Sequence, residues 1–188
     1  MSKLFIFLGP PGAGKGTQAS QISKNFNLAH ISTGEMLREH VTNQTELGKK
    51  AKNLLDEGLL VPDDLVINML VERLSHSDCK NGAILDGFPR TLGQAKSLQN
   101  ISENFPINKV FVFEADNEEL IKRILLRGEV SGRSDDTEES IKVRLDVYNS
   151  DTAPLVNYYQ EQQLVTTINA IGEIEDIYNA IALHFNNL

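Results

Sequence analysis

Residues 4–18, LFIFLGPPGAGKGTQ, leave few folds open. Five apolar residues run into four glycines, two prolines and one lysine, Lys15. Residues with so little side chain let consecutive backbone N–H groups approach an anion closely, in dihedrals that bulkier residues resist. A strand over 4–8, a turn, and a helix beginning near Lys15 aim those N–H groups from a helix N-terminus, where the dipole favours negative charge. From Gly9 to Lys15 the spacing is G-x-x-x-x-G-K, a phosphate-binding loop in its strand–helix setting. Gly16 then stands where that pattern usually has Ser or Thr, and Thr17 follows one place later. Magnesium is therefore expected to be held mainly through waters, not by a loop hydroxyl.

The remaining chain supplies a sheet for this loop. Short apolar runs occur at 4–8, 28–32, 83–88, 109–115 and 164–170. Helical-period segments cover 15–26, 34–57, 63–76, 91–102, 117–127, 137–161 and 173–185. Strands alternating with helices predict a parallel, helix-covered α/β sheet, and near-continuous apolar strands predict burial on both faces. The polar stretch RGEVSGRSDDTEE (127–139) interrupts the rhythm, with Asp136 and Glu139 spaced as a capping box for the next helix. Asp86, ending the third apolar run, suits a carboxylate that anchors magnesium through water.

Cations decide what such a sheet holds. The net charge of −8 argues against nucleic acid or a membrane surface as a general partner. The single Cys79 and four histidines without ligand spacing leave no set for a structural zinc. No segment reads as a signal peptide or membrane span, so a cytoplasmic protein, acting as a monomer, is expected. Of seven arginines, Arg38 and Arg90 follow strand runs, Arg123 and Arg127 share a helix face, Arg133 lies in the polar stretch and Arg144 on the next helix. Like charges four apart cost a helix about 0.2–0.5 kcal/mol. Arg123 and Arg127 are thus either surface residues paired with Glu119 or Glu129, or ligands of a shared anion. Taken with the strand ends, the set predicts a basic cleft inside an acidic protein. No His or Asp motif for a general base is evident. An acceptor that is itself a phosphate, largely dianionic with a second pKa of about 6, would remove the need for one.

GPPGAGKGTQ (9–18), STGEMLR (32–38), GLLVPDD (58–64), DGFPRTLGQA (86–95), RGEVSGRSDD (127–136) and RLDVY (144–148) together resemble the adenylate kinase family, in its order and over nearly the whole chain. Gly16–Thr17 is that family's form of the loop. The resemblance implies a P-loop NTPase-type three-layer fold: a five-stranded parallel sheet covered on both faces, in one nucleotide kinase domain (core 1–31, 62–126 and 138–188). A helical AMP-binding insertion over 32–61 and a short lid over 127–137 would be attached to it. The implied reaction is reversible, magnesium-dependent phosphoryl transfer from ATP to AMP giving two ADP, which balances adenine nucleotides. On the ATP side Gly12, Ala13, Gly14, Lys15, Gly16 and Thr17 would wrap the phosphates, with Arg123, Arg127 and the Gly172 backbone beyond them. On the AMP side the resemblance implies Thr33, Arg38, Leu59, Leu60, Val61, Gly87, Phe88, Pro89, Arg90 and Gln94. Arg133 and Arg144 would bridge to the transferring group, and Lys15 with Arg90, Arg123, Arg127, Arg133 and Arg144 would form the catalytic set. Gln94 offers a planar amide whose donor and acceptor match adenine. UMP/CMP kinases resemble SAGE and FPRN at the positions that here read STGE and FPRT. A pyrimidine or broad-specificity kinase and a catalytically silent nucleotide sensor are the alternatives. No N/T-K-x-D stretch supports a guanine-nucleotide switch.

Overall fold

A computed structural model describes residues 3–101, 105–131 and 133–186. Strands β1 (Lys3–Leu8), β2 (Ala29–Ser32), β3 (Gly82–Asp86), β4 (Ile107–Glu114) and β5 (Val165–Asn169) form one sheet in the order β2-β3-β1-β4-β5. Every pairing is parallel, with Phe7 opposite both Asp86 and Phe111. Helices α1 (Lys15–Phe26), α2 (Thr33–Thr42), α3 (Glu46–Asp56), α4 (Asp63–Leu74), α5 (Leu92–Ile101), α6 (Asn117–Ser131), α7 (Glu138–Val147), α8 (Leu155–Gln160) and α9 (Ile174–Phe185) make up the rest, with a 3-10 turn at Ser77–Asn81. Among the described residues no helix is long and apolar enough to cross a membrane.

Alternation along the strands builds two cores of different texture. Leu4, Ile6, Ala83, Leu85, Val110 and Val112 face one side, against Leu70, Leu98 and Tyr159. Phe5, Phe7, Ile84, Phe111 and Phe113 face the other, against Ala19, Ile22, Ile181 and Phe185 of α1 and α9. Phe185 stacks on Phe111 with centroids 5.5 Å apart and tilts against Phe5 at 4.5 Å. Both faces of the central strands are dry, as parallel sheets require. The carboxyl ends of β1, β3 and β4 are therefore rigid points from which loops project.

Four local expectations are corrected. The helical stretch 34–57 is two helices, because Gln44 takes a left-handed φ of 52° and Thr45 caps α3 by accepting from Gly48 N at 3.0 Å. The stretch 137–161 is α7, a π turn at Tyr148–Thr152, and α8. The cap of α7 is Thr137, which accepts from Ser140 N at 3.2 Å; Asp136, one residue earlier, is drawn away to arginines. Helix α6 also continues to Ser131, so the polar loop is shorter than its sequence suggests; Gly132 lies outside the described residues.

Candidate active site

The loop after β1 is held against β4. Gly9 has φ 152°, and a Cβ there would meet Phe113 O at 2.8 Å, so only glycine lets the chain turn this close to the neighbouring strand. Helix α1 begins directly after Gly14, which serves as a left-handed N-cap. Lys15 folds back over its own loop, donating from Nζ to Gly9 O at 2.7 Å and Pro10 O at 2.8 Å. Burial lowers its pKa to about 8; Asp86 opposes the shift, while Arg90, Arg144 and Arg127 reinforce it.

Asp86 ends β3 under this loop. A Cβ on Gly16 would lie 3.3 Å from its Oδ2, so the missing side chain at 16 is what gives the carboxylate room. Burial pushes the Asp86 pKa up, but neighbouring His30, Lys15 and Arg90 outweigh it and hold the group below the ordinary carboxylate range. The contact from His30 Nε2 is long, 3.5 Å. Among the described residues no cluster of three or more His, Cys, Asp or Glu is arranged to hold a metal. One ionised carboxylate beside a phosphate loop nevertheless fits a hard cation that brings most of its oxygen ligands from phosphate and water, as magnesium does.

Above the loop lies a cavity of about 630 Å³, of a size suited to small-molecule ligands. Lys15 and all six arginines singled out from the sequence line it: Arg38, Arg90, Arg123, Arg127, Arg133 and Arg144. Only Arg73 is elsewhere, paired with Asp78 at 2.6 Å. Arg127 makes a two-pronged pair with Asp136, Nε to Oδ2 at 2.8 Å and Nη2 to Oδ1 at 2.6 Å. Arg144 donates to the same Asp136 Oδ1 at 2.8 Å and to Asp135 O at 2.7 Å. Burial would raise the Asp136 pKa, but both guanidinium groups hold it low. Arg123 pairs with Glu119 at 2.7 Å, as the surface reading had it, yet also donates to Ala170 O at 2.9 Å and reaches the cavity wall. Arg90 donates from Nε to Gly87 O at 2.8 Å, and among the described residues none of the ion pairs includes it. Burial first, then Arg144, pulls its pKa down.

A second, smaller cavity opens beside the first and shares Arg38, Arg90 and Arg144 with it. Thr33, Leu59, Leu60, Val61, Gly87 and Gln94 line it, nearly the acceptor set expected from the motifs. Thr33 Oγ1 donates to Gly87 O at 2.9 Å, tying α2 to the end of β3. Gln94 is 2% exposed, and both ends of its amide already bond to protein: Oε1 accepts from Arg90 N at 2.7 Å and Nε2 donates to Asp63 Oδ1 at 2.8 Å. The polar stretch reaches over the 32–61 segment, where Ser134 Oγ donates to Asp56 Oδ1 at 2.6 Å and Arg133 stands 3.9 Å from Glu35.

Not every expected residue lines a cavity. Pro89 lines the larger one, whereas Phe88 is a core residue, 1% exposed, whose side chain belongs to the aliphatic core with Leu4 and Leu85. Ala13 is buried, with its N–H turned to Pro10 O at 3.3 Å. Gly172, with φ 121°, caps the exit from β5 between the half-exposed Ile171 and Ile174, outside both linings. Conversely, sequence reading missed Thr152, whose buried hydroxyl donates to Arg90 O at 2.8 Å from within the π turn. No local signal marks that turn. Asp135 was also missed, though its place between Arg133 and Arg144 in a charged run was visible.

The family model described as adenylate kinase matches residues 7–164. Among curated relatives, the adenylate kinase of Leptospira biflexa is 48% identical over 181 residues, covering 95% of this chain and 97% of its own length. That of Prochlorococcus marinus is 49% identical over 94% of each chain, and that of Parabacteroides distasonis 45% over 97% of each. Matched from the first strand through the last helix before β5, and carrying its cations around one cleft, this chain belongs to the adenylate kinase family.

Proposed function

We propose that this enzyme transfers the γ-phosphoryl group of ATP reversibly to AMP, giving two ADP, with ATP over the β1–α1 loop and AMP reaching from the shared arginines toward the smaller cavity with its base. The observation that carries this reading is the gathering of Lys15 and six arginines, drawn from across 130 positions, around one cavity that shares three of them with a second. A hydrolase has no use for two adjoining cationic compartments. Two nucleotides brought end to end need fixed positive charge against their mutual repulsion.

In this reading Lys15 rotates from the Gly9 and Pro10 carbonyls onto the outer phosphates of ATP. Arg127 and Arg144 exchange Asp136 for phosphate oxygens, while Arg123 and Arg133 close from the α6 end. Arg38 and Arg90 clamp the AMP phosphate and orient its oxygen in line with the γ-phosphorus. That oxygen is already ionised near neutrality, so no general base is required. When bound with ATP, magnesium supplies neutralisation of charge at the β- and γ-oxygens, and Asp86, through water, with Thr17 nearby, would hold it. Segment 127–137 serves as the lid and 32–61 as the acceptor flap; the Ser134–Asp56 contact supports their closing on each other. Gln94 meets the adenine edge of AMP, and the Gly172 backbone meets the adenine of ATP. The enzyme acts as a cytoplasmic monomer.

ADP formation from MgATP with AMP, CMP and UMP in parallel tests the acceptor. AMP is expected to exceed either pyrimidine nucleotide in kcat/KM by at least about 100-fold: uracil presents the reverse donor–acceptor order to the buried amide, and cytosine, which has adenine's order, is a single ring that falls short of it. Equal or better use of CMP overturns the assignment.

A further inference from the structure

Asp63 opens α4, where an aspartate ordinarily faces its own helix N-terminus. Here no side-chain cap bond forms on α4, and both carboxylate oxygens leave the helix for the segment after β3. Oδ2 accepts from Thr91 Oγ1 at 2.8 Å and Oδ1 accepts from Gln94 Nε2 at 2.8 Å. Thr91 Oγ1 in turn accepts from Gln94 N at 3.1 Å, closing a ring of bonds around one side chain. Space for it depends on Gly93, where a Cβ would stand 2.9 Å from Asp63 Oδ2. On the other side Arg90 N donates to Gln94 Oε1 at 2.7 Å, and Thr152 fixes the Arg90 carbonyl.

We propose that Asp63 is a specificity-determining positioning residue: it locks the orientation of the Gln94 amide, and thereby selects a 6-amino over a 6-oxo purine in the acceptor cavity. This rests on Gln94 being the base contact. An amide has two N–H donors and two acceptor lone pairs. Arg90 N takes one lone pair and Asp63 takes one N–H, which leaves one of each for a ligand. Turning the amide over would set NH₂ against the Arg90 N–H and the carbonyl against a carboxylate, so the free pair has a fixed order. Adenine offers N6–H as donor beside N1 as acceptor, and fits that order; a 6-oxo purine offers O6 and N1–H, the reverse. Discrimination thus comes from a carboxylate that faces the amide and not the base.

The test is steady-state kinetics with AMP and with IMP at saturating MgATP, for the parent enzyme, Asp63→Ala, Asp63→Asn and Gln94→Leu. Asp63→Ala is expected to lower kcat/KM for AMP about 10- to 100-fold, mainly through KM, and to shrink the AMP-over-IMP preference about tenfold. Its KM for MgATP should move less than about twofold, because the ATP side keeps all its contacts. Asp63→Asn retains a carbonyl toward Gln94 Nε2 and should keep most of the preference. Because each preference is a ratio within one preparation, loss of folded protein cancels from it. A parent-like ratio in Asp63→Ala beside a collapsed one in Gln94→Leu refutes the positioning role and leaves Gln94 as the base contact. Equal weakening of AMP and MgATP in Asp63→Ala also refutes it. A parent-like ratio in Gln94→Leu refutes both.

Discussion

The phosphate loop and segment 127–137, the proposed lid, both carry cations, but they store them differently. Lys15 rests on two neutral carbonyls of its own loop. Arg127 and Arg144 rest on a carboxylate that no solvent reaches, Asp136. Charge-assisted bonds are roughly twice as strong as neutral ones, so the two parking arrangements release their cations at different cost. A phosphate entering the loop displaces dipoles. A phosphate entering under the lid must displace another anion, and only a multiply charged group in good geometry will do so. In the proposed reaction the loop would therefore govern occupancy, and segment 127–137 would govern whether occupancy leads to closure.

The largest effect should come from Lys15→Ala. Removing the cation proposed to track the transferring phosphoryl group is expected to lower kcat by about 1,000-fold or more. Its melting temperature should stay close to the parent's, since the lost attraction to Asp86 is offset by the burial cost of the ammonium, and its hydrogen bonds are to backbone carbonyls alone. A variant that loses folding and turnover together would erase the contrast between the two regions.

Next in size is Asp136→Ala, which strips the lid of its internal anion. It should cost about 1–3 kcal/mol of stability in the ligand-free protein, as two donors lose a buried acceptor. ATP should then raise the melting temperature of this variant more than that of the parent, because phosphate replaces the missing carboxylate. The pH dependence has a definite sign. The Asp136 pKa is depressed in the folded protein, so its contribution is full above the unfolded value, about 3.9, and is lost as pH falls through the folded value. A parent acid-unfolding profile identical to that of the variant would show the pair contributes nothing.

The smallest effect is a pH effect on the loop. With the Lys15 pKa at about 8, against an ordinary 10.5, ATP affinity should fall by up to about tenfold per pH unit above 8, since phosphate requires the ammonium form. Ligand-free stability should move oppositely, rising between about 8 and 10.5, where the unfolded chain retains a proton that the folded one has released. Lys15→Arg should flatten the affinity profile in binding titrations; a profile unchanged by that substitution would assign the titration to another group.

The two regions also differed in how plainly the sequence announced them. The loop is local: strand, glycines, lysine and helix follow one another, and β1 and α1 lie within one residue of their expected bounds. Around the lid, local signals lost to distant partners. Asp136 reads as a capping residue because Glu139 stands three places on, but Arg127 and Arg144, nine and eight residues away, outbid its helix and Thr137 took the cap. The arginines were legible as a set, whereas the carboxylates that hold them, Asp135, Asp136 and Glu35, were not, since pairing across elements leaves no periodic mark. Gln94 stands in a motif legible in the sequence, but Asp63, 31 positions earlier in the chain, becomes its neighbour only through the fold. The split at Gln44 was hidden by helix-compatible residues on either side.

Arg90 sits buried on a backbone carbonyl, repelled by Arg144 and Lys15 and attracted by Asp86 and Asp135, with no ion pair among the described residues. An interior guanidinium that those carboxylates attract only from a distance still carries a burial cost, which a phosphate oxygen bonded to it would offset. Starvation for nucleotide should consequently leave the polypeptide easier to unfold and to cut by proteases, so that substrate supply sets the lifetime of the catalyst as well as its rate.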